Sequence, residues 1–339
     1  MTNRNISQGE KMTAILKSQH NQFKDNDWDQ LNYEFFQNFE SRHTRKCYQR
    51  DIQLFFSFLD NHKIYLNNLK SILRSHVVAY RNHLQAIEQA PKTICRKLSS
   101  LSSYFDFLLE KNIVEINPCY GLRRPRQVVV NETQDLSDDN VQKLFEALFN
   151  EENSKSIKLH RAVIFLLFST GIRKSELINL KFKDYVQINE STFCLKVKAK
   201  GGKYLTKVIH PSAKAILDDY LQDQIDQGEL TSGEEYLLRP SRNPLNPKQL
   251  NKPLNPKTID YILGKYCQKA GIYQKVSPHS ARATYIGSAL ENGVDLWRVS
   301  LDVGHESVRT TEIYNKRRAG VKNSPVHSLG FFNNYKKTA

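Results

Sequence analysis

The sequence predicts a mainly α-helical chain of two domains with a small antiparallel β-sheet, an α+β fold. A length of 339 residues is about twice that of an average domain. Apolar residues recur at helical spacing through residues 44–59 and 93–108. Two alternating runs flank Gly201-Gly202 in the pattern of a β-hairpin.

The domain boundary is predicted in residues 123–135, a basic stretch that contains proline. Ser137 follows it as the N-cap of a new helix. We therefore expect a helical domain over residues 31–122 and a second domain over residues 136–323. Residues 1–30 are polar without strong periodicity, and this N-terminal extension fits either a flexible arm or a short helix.

A first cationic motif lies in residues 169–180. A Thr-Gly turn is predicted to open a helix there, which places Arg173 in the first helical turn. Free backbone N–H groups and the helix dipole favour an anion at this end of a helix. We expect Glu176 to orient a neighbouring cation or histidine, although an ordinary glutamate of the helix surface fits the pattern nearly as well.

A second motif begins at Ser277, which is predicted to cap a helix whose first residue is Pro278. His279 and Arg282 are three residues apart on this helix. They therefore share one face and can reach the same ligand.

A third motif joins Gly304 and His305 to Tyr314, nine residues after the histidine. Gly304 is predicted to end a helix that begins near Asp295. This places His305 at the start of a loop and Tyr314 on the next short helix. A further cation comes from the hairpin, whose turn can present Lys200 or Lys203.

These residues together suit the cleavage of a phosphodiester. Without a metal, that reaction needs cations and hydrogen-bond donors around the phosphate and a nucleophile that holds the cut end. Each residue alone is more often a surface charge or a structural side chain. Their joint occurrence in order is what predicts a site.

Composition is consistent with a polyanionic partner. Lys and Arg number 50 against 35 Asp and Glu, a net charge of +15, although a merely basic protein fits as well. The absence of a long apolar run and of a signal peptide predicts a cytoplasmic protein. Five scattered cysteines indicate reduced thiols. The sequence has no nucleotide-binding glycine loop and no acidic metal cluster, so we expect no cofactor and no metal.

The ordered motifs resemble those of tyrosine recombinases, the phage integrase family, from about residue 31 to the tail. The resemblance implies a helical SAM-like core-binding domain, which ends at Asn117-Pro118, followed by a tyrosine-recombinase catalytic domain. Ala281 and Ala283 depart from the leucine and histidine often found beside the motif arginine, and we expect these changes to alter packing only.

The resemblance also implies roles for the motif residues. Tyr314 would be the nucleophile of a transesterification that leaves a 3′-phosphotyrosyl end. Lys200 fits the hairpin lysine of the family better than Lys203 and would protonate the departing 5′ oxygen. The phosphate-activating set would be Arg173, Lys200, His279, Arg282 and His305, with His279 as proton acceptor.

The implied partner is double-stranded DNA, gripped by two domains with a cationic linker between them. Each candidate contact in the first domain fits the solvated face of an amphipathic helix equally well. The candidates are Thr44, Arg45, Lys92, Thr93, Arg96 and Lys97 in the first domain, Arg123 and Arg124 in the linker, and Lys203 in the hairpin.

The implied activity is site-specific recombination by a homotetramer on an inverted-repeat core site. Accessory DNA-bending proteins are compatible with this activity. Integration, excision or resolution of a mobile element is favoured over an Xer-like housekeeping role. A type IB topoisomerase would share the chemistry as a monomer, and a non-catalytic DNA-binding regulator would be expected to have lost part of the set. The tail, residues 324–339, fits docking on a neighbouring catalytic domain or packing on its own.

Overall fold

The computed structural model describes residues 25–64, 68–126, 134–151, 156–199, 202–228, 232–240 and 252–314. It confirms the predicted fold class, since helices predominate and one three-stranded antiparallel sheet is present. The chain divides into two compact units, Met1–Val129 and Val130–Ala339. Within the described residues, no helix is long and apolar enough to span a membrane.

The N-terminal unit is helical throughout its described elements. Its first helix begins inside the segment predicted as a polar extension. Ser41 caps the second helix through its hydroxyl, and Pro91 opens the fourth at the first helical position. The helices are α1 (Asp25–Gln37), α2 (Arg42–Asn61), α3 (Arg74–Ala86) and α4 (Pro91–Glu110), with a 3-10 turn at Leu69–Ser71.

An aromatic core holds this unit together. Phe55 of α2 lies edge-on to Phe56, to Tyr80 of α3 and to Phe105 of α4, and all four rings are buried. Such edge-to-face pairs stabilise a core beyond the apolar area they bury. The predicted helical spacing of residues 44–59 and 93–108 therefore reflects two helices that face one core.

The C-terminal unit combines helices with a small three-stranded sheet. From Leu195 to the end of β2 and through β3, residues alternate between the core and solvent, with Leu195 paired to Lys207 and Lys198 paired to Tyr204. The elements are α5 (Asp138–Phe149), α6 (Ile157–Thr170), α7 (Lys174–Ile178), β1 (Tyr185–Gln187), β2 (Phe193–Lys198), β3 (Tyr204–Val208), α8 (Pro211–Asp226), α9 (Pro256–Lys269), α10 (Pro278–Glu291), α11 (Leu296–Val303) and α12 (Val308–Glu312), with a 3-10 turn at Phe182–Asp184.

Two helices of this unit end at glycines in the left-handed conformation. Gly171 caps α6 with φ of 57°, and Gly304 caps α11 with φ of 66°. A Cβ atom at Gly171 would lie 2.6 Å from Cδ1 of Tyr285, and one at Gly304 would overlap the Leu205 side chain. Both helix ends are therefore fixed by conformation and by close packing, and both border the candidate site.

Candidate active site

Arg282 joins the two glycine-capped helix ends. It is 2% exposed, and its Nη1 donates to the carbonyl of Gly171 at 2.7 Å while its Nη2 donates to the carbonyl of Val303 at 2.5 Å. The last carbonyls of a helix lack intrahelical partners and carry partial negative charge, so they suit a cation. Each terminal nitrogen carries a second N–H, which leaves donor capacity for an anionic ligand.

Arg173 is held beside the end of α11. Its Nη2 donates to the carbonyl of Gly304 at 3.0 Å, and its Nη1 pairs with the Glu176 carboxylate at 2.8 Å. The other Glu176 oxygen accepts from the backbone N–H of Arg173 at 2.9 Å. Arg173 is the N-cap of α7 and has an extended backbone conformation. The sequence analysis had placed it one position later, in the first turn of the helix.

The two guanidinium groups affect one another. Burial and then the neighbouring charge of Arg173 lower the pKa of Arg282 to about 10, so Arg282 remains a cation at neutral pH. Glu176, with only 5% of its side chain exposed, opposes this shift by favouring the charged form. The carboxylate therefore both orients Arg173 and helps two cations to coexist.

His305 is a neutral imidazole at this site. Burial and then the charges of Arg282 and Arg173 lower its pKa to about 4. Its Nδ1 lies 2.8 Å from the Thr311 hydroxyl, and Thr311 is fully buried. With that hydroxyl as the donor to Nδ1, the Nε2 atom carries the proton and is a hydrogen-bond donor. Thr311 was missed at the sequence level, although it lies between His305 and Tyr314.

Tyr314 contacts His279 across the site. The Tyr314 hydroxyl and His279 Nε2 are 3.1 Å apart, and the Tyr314 ring stacks against His305 with ring centres 6.2 Å apart. The tyrosine lies two residues beyond α12 and not on it, because its backbone N–H closes a tight turn on the Thr311 carbonyl. Its ring also packs on the apolar cluster that includes Val299 and Val303.

The Tyr314 phenol keeps its proton in this environment. Burial raises its pKa above the ordinary value of 10, while the charges of Arg282 and Arg173 act in the opposite direction. An attack by this oxygen at neutral pH would therefore need a proton acceptor. His279, within hydrogen-bonding distance and solvent-exposed, occupies the position of such a base.

The hairpin contributes less to the described geometry. Lys200 lies outside the described residues, as do the tail residues 324–339. Lys203 is exposed, and its carbonyl accepts a hydrogen bond from the Ala199 N–H at 2.7 Å, close to the turn. The side chains brought together are thus Arg173, Glu176, His279, Arg282, His305 and Tyr314.

Three of the proposed DNA contacts in the N-terminal unit line one groove of about 240 Å³ between α2 and α4. Arg96 is exposed and pairs with the buried Asp51, whereas Lys97 is only 8% exposed, and burial lowers its pKa. Arg50, which the sequence analysis did not select, lines the same groove. The groove residues are Cys47, Arg50, Asp51, Leu54, Gln89, Thr93, Arg96 and Lys97.

The remaining candidates of this unit lie outside that groove. Arg45 is engaged within its own unit, since its Nε donates to the Phe39 carbonyl at 2.6 Å. Lys92, Arg123 and Arg124 are exposed, Thr44 is half-buried, and Arg124 donates to the Ser99 hydroxyl at 2.6 Å. A phosphate contact is therefore easier for Lys92 and Arg123 than for Arg45.

Both halves of the chain match known protein families. Residues 134–320 match the phage integrase family, and residues 25–112 match the SAM-like N-terminal domain of phage integrases. The chain is similar to tyrosine recombinase XerC of Anoxybacillus flavithermus, with 30% identity over 81% of this chain and 87% of that protein. It is also similar to tyrosine recombinase XerD of Listeria innocua, with 27% identity over 81% of this chain and 88% of that protein.

Solved structures share the fold. The XerH site-specific recombinase in a post-cleavage complex with a palindromic difH substrate superposes with a TM-score of 0.67 at 18% identity, over 90% of each chain. A lambda integrase tetramer bound to a Holliday junction gives a TM-score of 0.62 at 18% identity, over 88% of this chain and 79% of that chain.

Proposed function

The chain belongs to the phage integrase family of tyrosine recombinases, enzymes that cleave and rejoin DNA strands, and we propose that it carries out site-specific recombination with Tyr314 as nucleophile. The observation that carries this proposal is the 3.1 Å contact between the Tyr314 hydroxyl and His279 beside two anchored arginines. Nucleophile, base and anion-binding donors thereby converge on one space.

In the proposed cleavage, the Tyr314 oxygen attacks the scissile phosphorus and its proton passes to His279 Nε2. The bond from phosphorus to the 5′ oxygen breaks, and that oxygen takes a proton from Lys200, a role that rests on the family resemblance. The 3′ phosphate remains bound to Tyr314. Rejoining reverses these steps with a 5′ hydroxyl as nucleophile. The reaction therefore needs no external energy source.

Three groups are proposed to stabilise the charge that develops on the non-bridging oxygens. Arg173 and Arg282 present guanidinium N–H groups from fixed positions, and the neutral His305 presents Nε2–H. Donors that are oriented before the reaction stabilise a transition state without reorganisation. The carbonyl anchors at the two helix ends provide that orientation.

The substrate is proposed to be a DNA core site with inverted repeats, bound by four protomers. The basic groove between α2 and α4 supports a phosphate contact in the N-terminal unit. The tetramer described for lambda integrase supports the assembly, and the apolar residues of the tail support docking between protomers.

A chain that ends at Asn323 should then bind one half-site normally but lose cooperative binding to paired half-sites. Normal cooperativity would contradict tail docking.

As a biological role we propose integration, excision or resolution of a mobile element. The basic run Asn315-Lys316-Arg317-Arg318 after the nucleophile supports this role, whereas similarity to tyrosine recombinases XerC and XerD supports an Xer-like housekeeping role. Repeats that flank the gene, cloned in pairs, should recombine if the mobile-element role is correct. Recombination at a chromosomal site and not at the flanking repeats would support the other role.

One experiment separates recombination from topoisomerase and regulator functions. The protein is incubated with a supercoiled plasmid that carries two copies of the candidate site, and with a matched plasmid that carries none. Recombinant circles from the first plasmid alone would support the proposal. Relaxation of both plasmids to the same extent would indicate a topoisomerase, and binding without covalent capture would indicate a regulator.

A further inference from the structure

A third cation, Lys207, binds the same two helix ends as the arginines. It lies on β3 with 1% of its side chain exposed. Its Nζ donates to the Thr170 carbonyl at 3.0 Å and to Asp302 Oδ2 at 2.8 Å. Thr170 is the last residue of α6, and Asp302 lies in the last turn of α11.

Stability alone gives a poor account of a lysine at this position. The inward face of the hairpin is otherwise apolar, with Leu195, Val197 and Leu205 directed toward the core. Burial lowers the pKa of Lys207, the charge and hydrogen bond of Asp302 oppose that shift, and the charge of Arg282 adds to it. Burying an ammonium beside another cation is costly, and an apolar replacement for a buried ion pair is often neutral or stabilising.

The contacts of Lys207 adjoin the carbonyls that orient the arginines. Thr170 precedes Gly171, whose carbonyl binds Arg282. Asp302 precedes Val303 and Gly304, whose carbonyls bind Arg282 and Arg173. The Tyr285 hydroxyl also donates to Asp302 Oδ2, at 2.9 Å, and fixes the carboxylate from α10. One ammonium therefore joins both carbonyl-bearing segments to β3, the strand that follows the hairpin turn.

We propose that Lys207 is a positioning residue for phosphate activation. It holds the ends of α6 and α11 at the spacing that points Arg282 and Arg173 at the scissile phosphate. Because its ammonium is enclosed, it acts through these arginines and contacts no DNA. The inference rests on the proposed function, since the reaction it serves is the attack of Tyr314 on that phosphate.

The test uses two DNA substrates and the variant Lys207→Met, which keeps most of the length of the side chain and removes the ammonium. On a normal phosphodiester, cleavage should slow about 100-fold with DNA affinity unchanged, because a small misplacement of activating groups costs about that much. On a methylphosphonate, where a methyl group replaces one charged oxygen, the arginines have less charge to stabilise. The cleavage defect should therefore shrink at least tenfold, as it should for Arg173→Ala.

A double variant separates positioning from stability. Lys207→Met with Asp302→Asn removes both charges and keeps an acceptor for Tyr285, so it should unfold no more easily than the wild type while remaining slow on the phosphodiester. The control Lys158→Met, a surface ammonium paired with Asp219 and Asp223, should cleave both substrates normally.

Two outcomes would overturn the inference. One is wild-type cleavage of the phosphodiester by the folded double variant. The other is an equal defect of Lys207→Met on both substrates. Failure of the wild type to form any covalent adduct would instead count against the proposed function, so the two failures are distinguishable.

Discussion

The Tyr314 hydroxyl and His279 Nε2 lie 3.1 Å apart, at the opening of a site whose cations are anchored to two helix ends. The distance is that of a hydrogen bond, and the partners are 35 residues apart in sequence. Burial keeps the phenol protonated until a base accepts its proton. This relationship makes His279 the first residue to test.

His279→Gln should slow formation of the covalent adduct by about 100-fold or more, because general-base catalysis typically contributes at least that much. DNA affinity should change little, since the glutamine retains a hydrogen-bonding side chain. Single-turnover cleavage of a nicked substrate measures the rate. His210→Asn is the matched control, because His210 is an exposed histidine whose ring caps α8 and asparagine caps a helix equally well. Equal loss in both variants would contradict the assignment of the base.

Arg173→Ala should slow cleavage by about 100- to 1000-fold and weaken DNA binding far less, because the arginine stabilises charge that develops only during reaction. The double variant Arg123→Ala with Arg124→Ala should do the reverse. It should weaken binding and flatten the dependence on salt by about one unit of slope for each lost phosphate contact. Affinity at several salt concentrations and single-turnover rates, measured on both variants, provide the comparison. The same pattern in both would refute this division of roles.

The two hairpin lysines can be separated with a substrate whose 5′ bridging oxygen is replaced by sulfur. A thiolate leaves without protonation, so a variant that lacks only the general acid should regain cleavage. Lys200→Ala should therefore recover on the sulfur substrate, whereas Arg173→Ala should remain slow on both. Recovery by Lys203→Ala in place of Lys200→Ala would move the general acid to Lys203.

The C-terminal unit should lose stability as the pH falls from about 6.5 to about 4. Burial lowers the pKa of His160, which contacts the Tyr266 hydroxyl at 3.0 Å, from 6.5 to about 4. Within this window the unfolded chain binds a proton that the folded unit resists, so protonation favours unfolding. His305 contributes in the same direction.

His160→Gln should remove part of this dependence, because glutamine does not titrate. The measurement is the urea midpoint of the C-terminal unit at pH 7 and at pH 4.5, for the wild type and the variant. The wild-type midpoint should fall more between the two pH values. An equal fall of the urea midpoint in the wild type and the variant would show that His160 does not resist protonation in the folded state.

Local signals in the sequence predicted the ends of helices well. Ser277 and Gly304 are a cap and a stop whose effect depends on their immediate neighbours, and both occupy the predicted positions. The motif order also anticipated which cations meet, since Arg173 and Arg282 both reach the end of α11. The sequence thus revealed the helix ends that short segments determine, and the motif order indicated which distant cations share a site.

Contacts that a residue makes outside its own helix or strand were not predictable in the same way. Lys207 resembles any strand lysine until Asp302, 95 residues later, encloses it. Arg45 resembles a DNA contact until its guanidinium is found on the Phe39 carbonyl. Tyr314 was expected on a helix, but a tight turn to Thr311 ends the helix two residues earlier. In each case, a contact that the sequence pattern does not specify decides the position or the partners of the side chain.

The most direct test of the account is to identify the residue that holds cleaved DNA. A suicide substrate, nicked just downstream of the cleavage site so that the short fragment with the 5′ hydroxyl diffuses away, is incubated with the wild type and with Tyr314→Phe. The adduct is then digested and analysed by mass spectrometry. The account predicts a 3′-phosphotyrosyl nucleotide on the peptide that contains Tyr314, and no adduct in the variant despite nearly normal DNA affinity. An adduct on another residue, or one that persists in Tyr314→Phe, would contradict it.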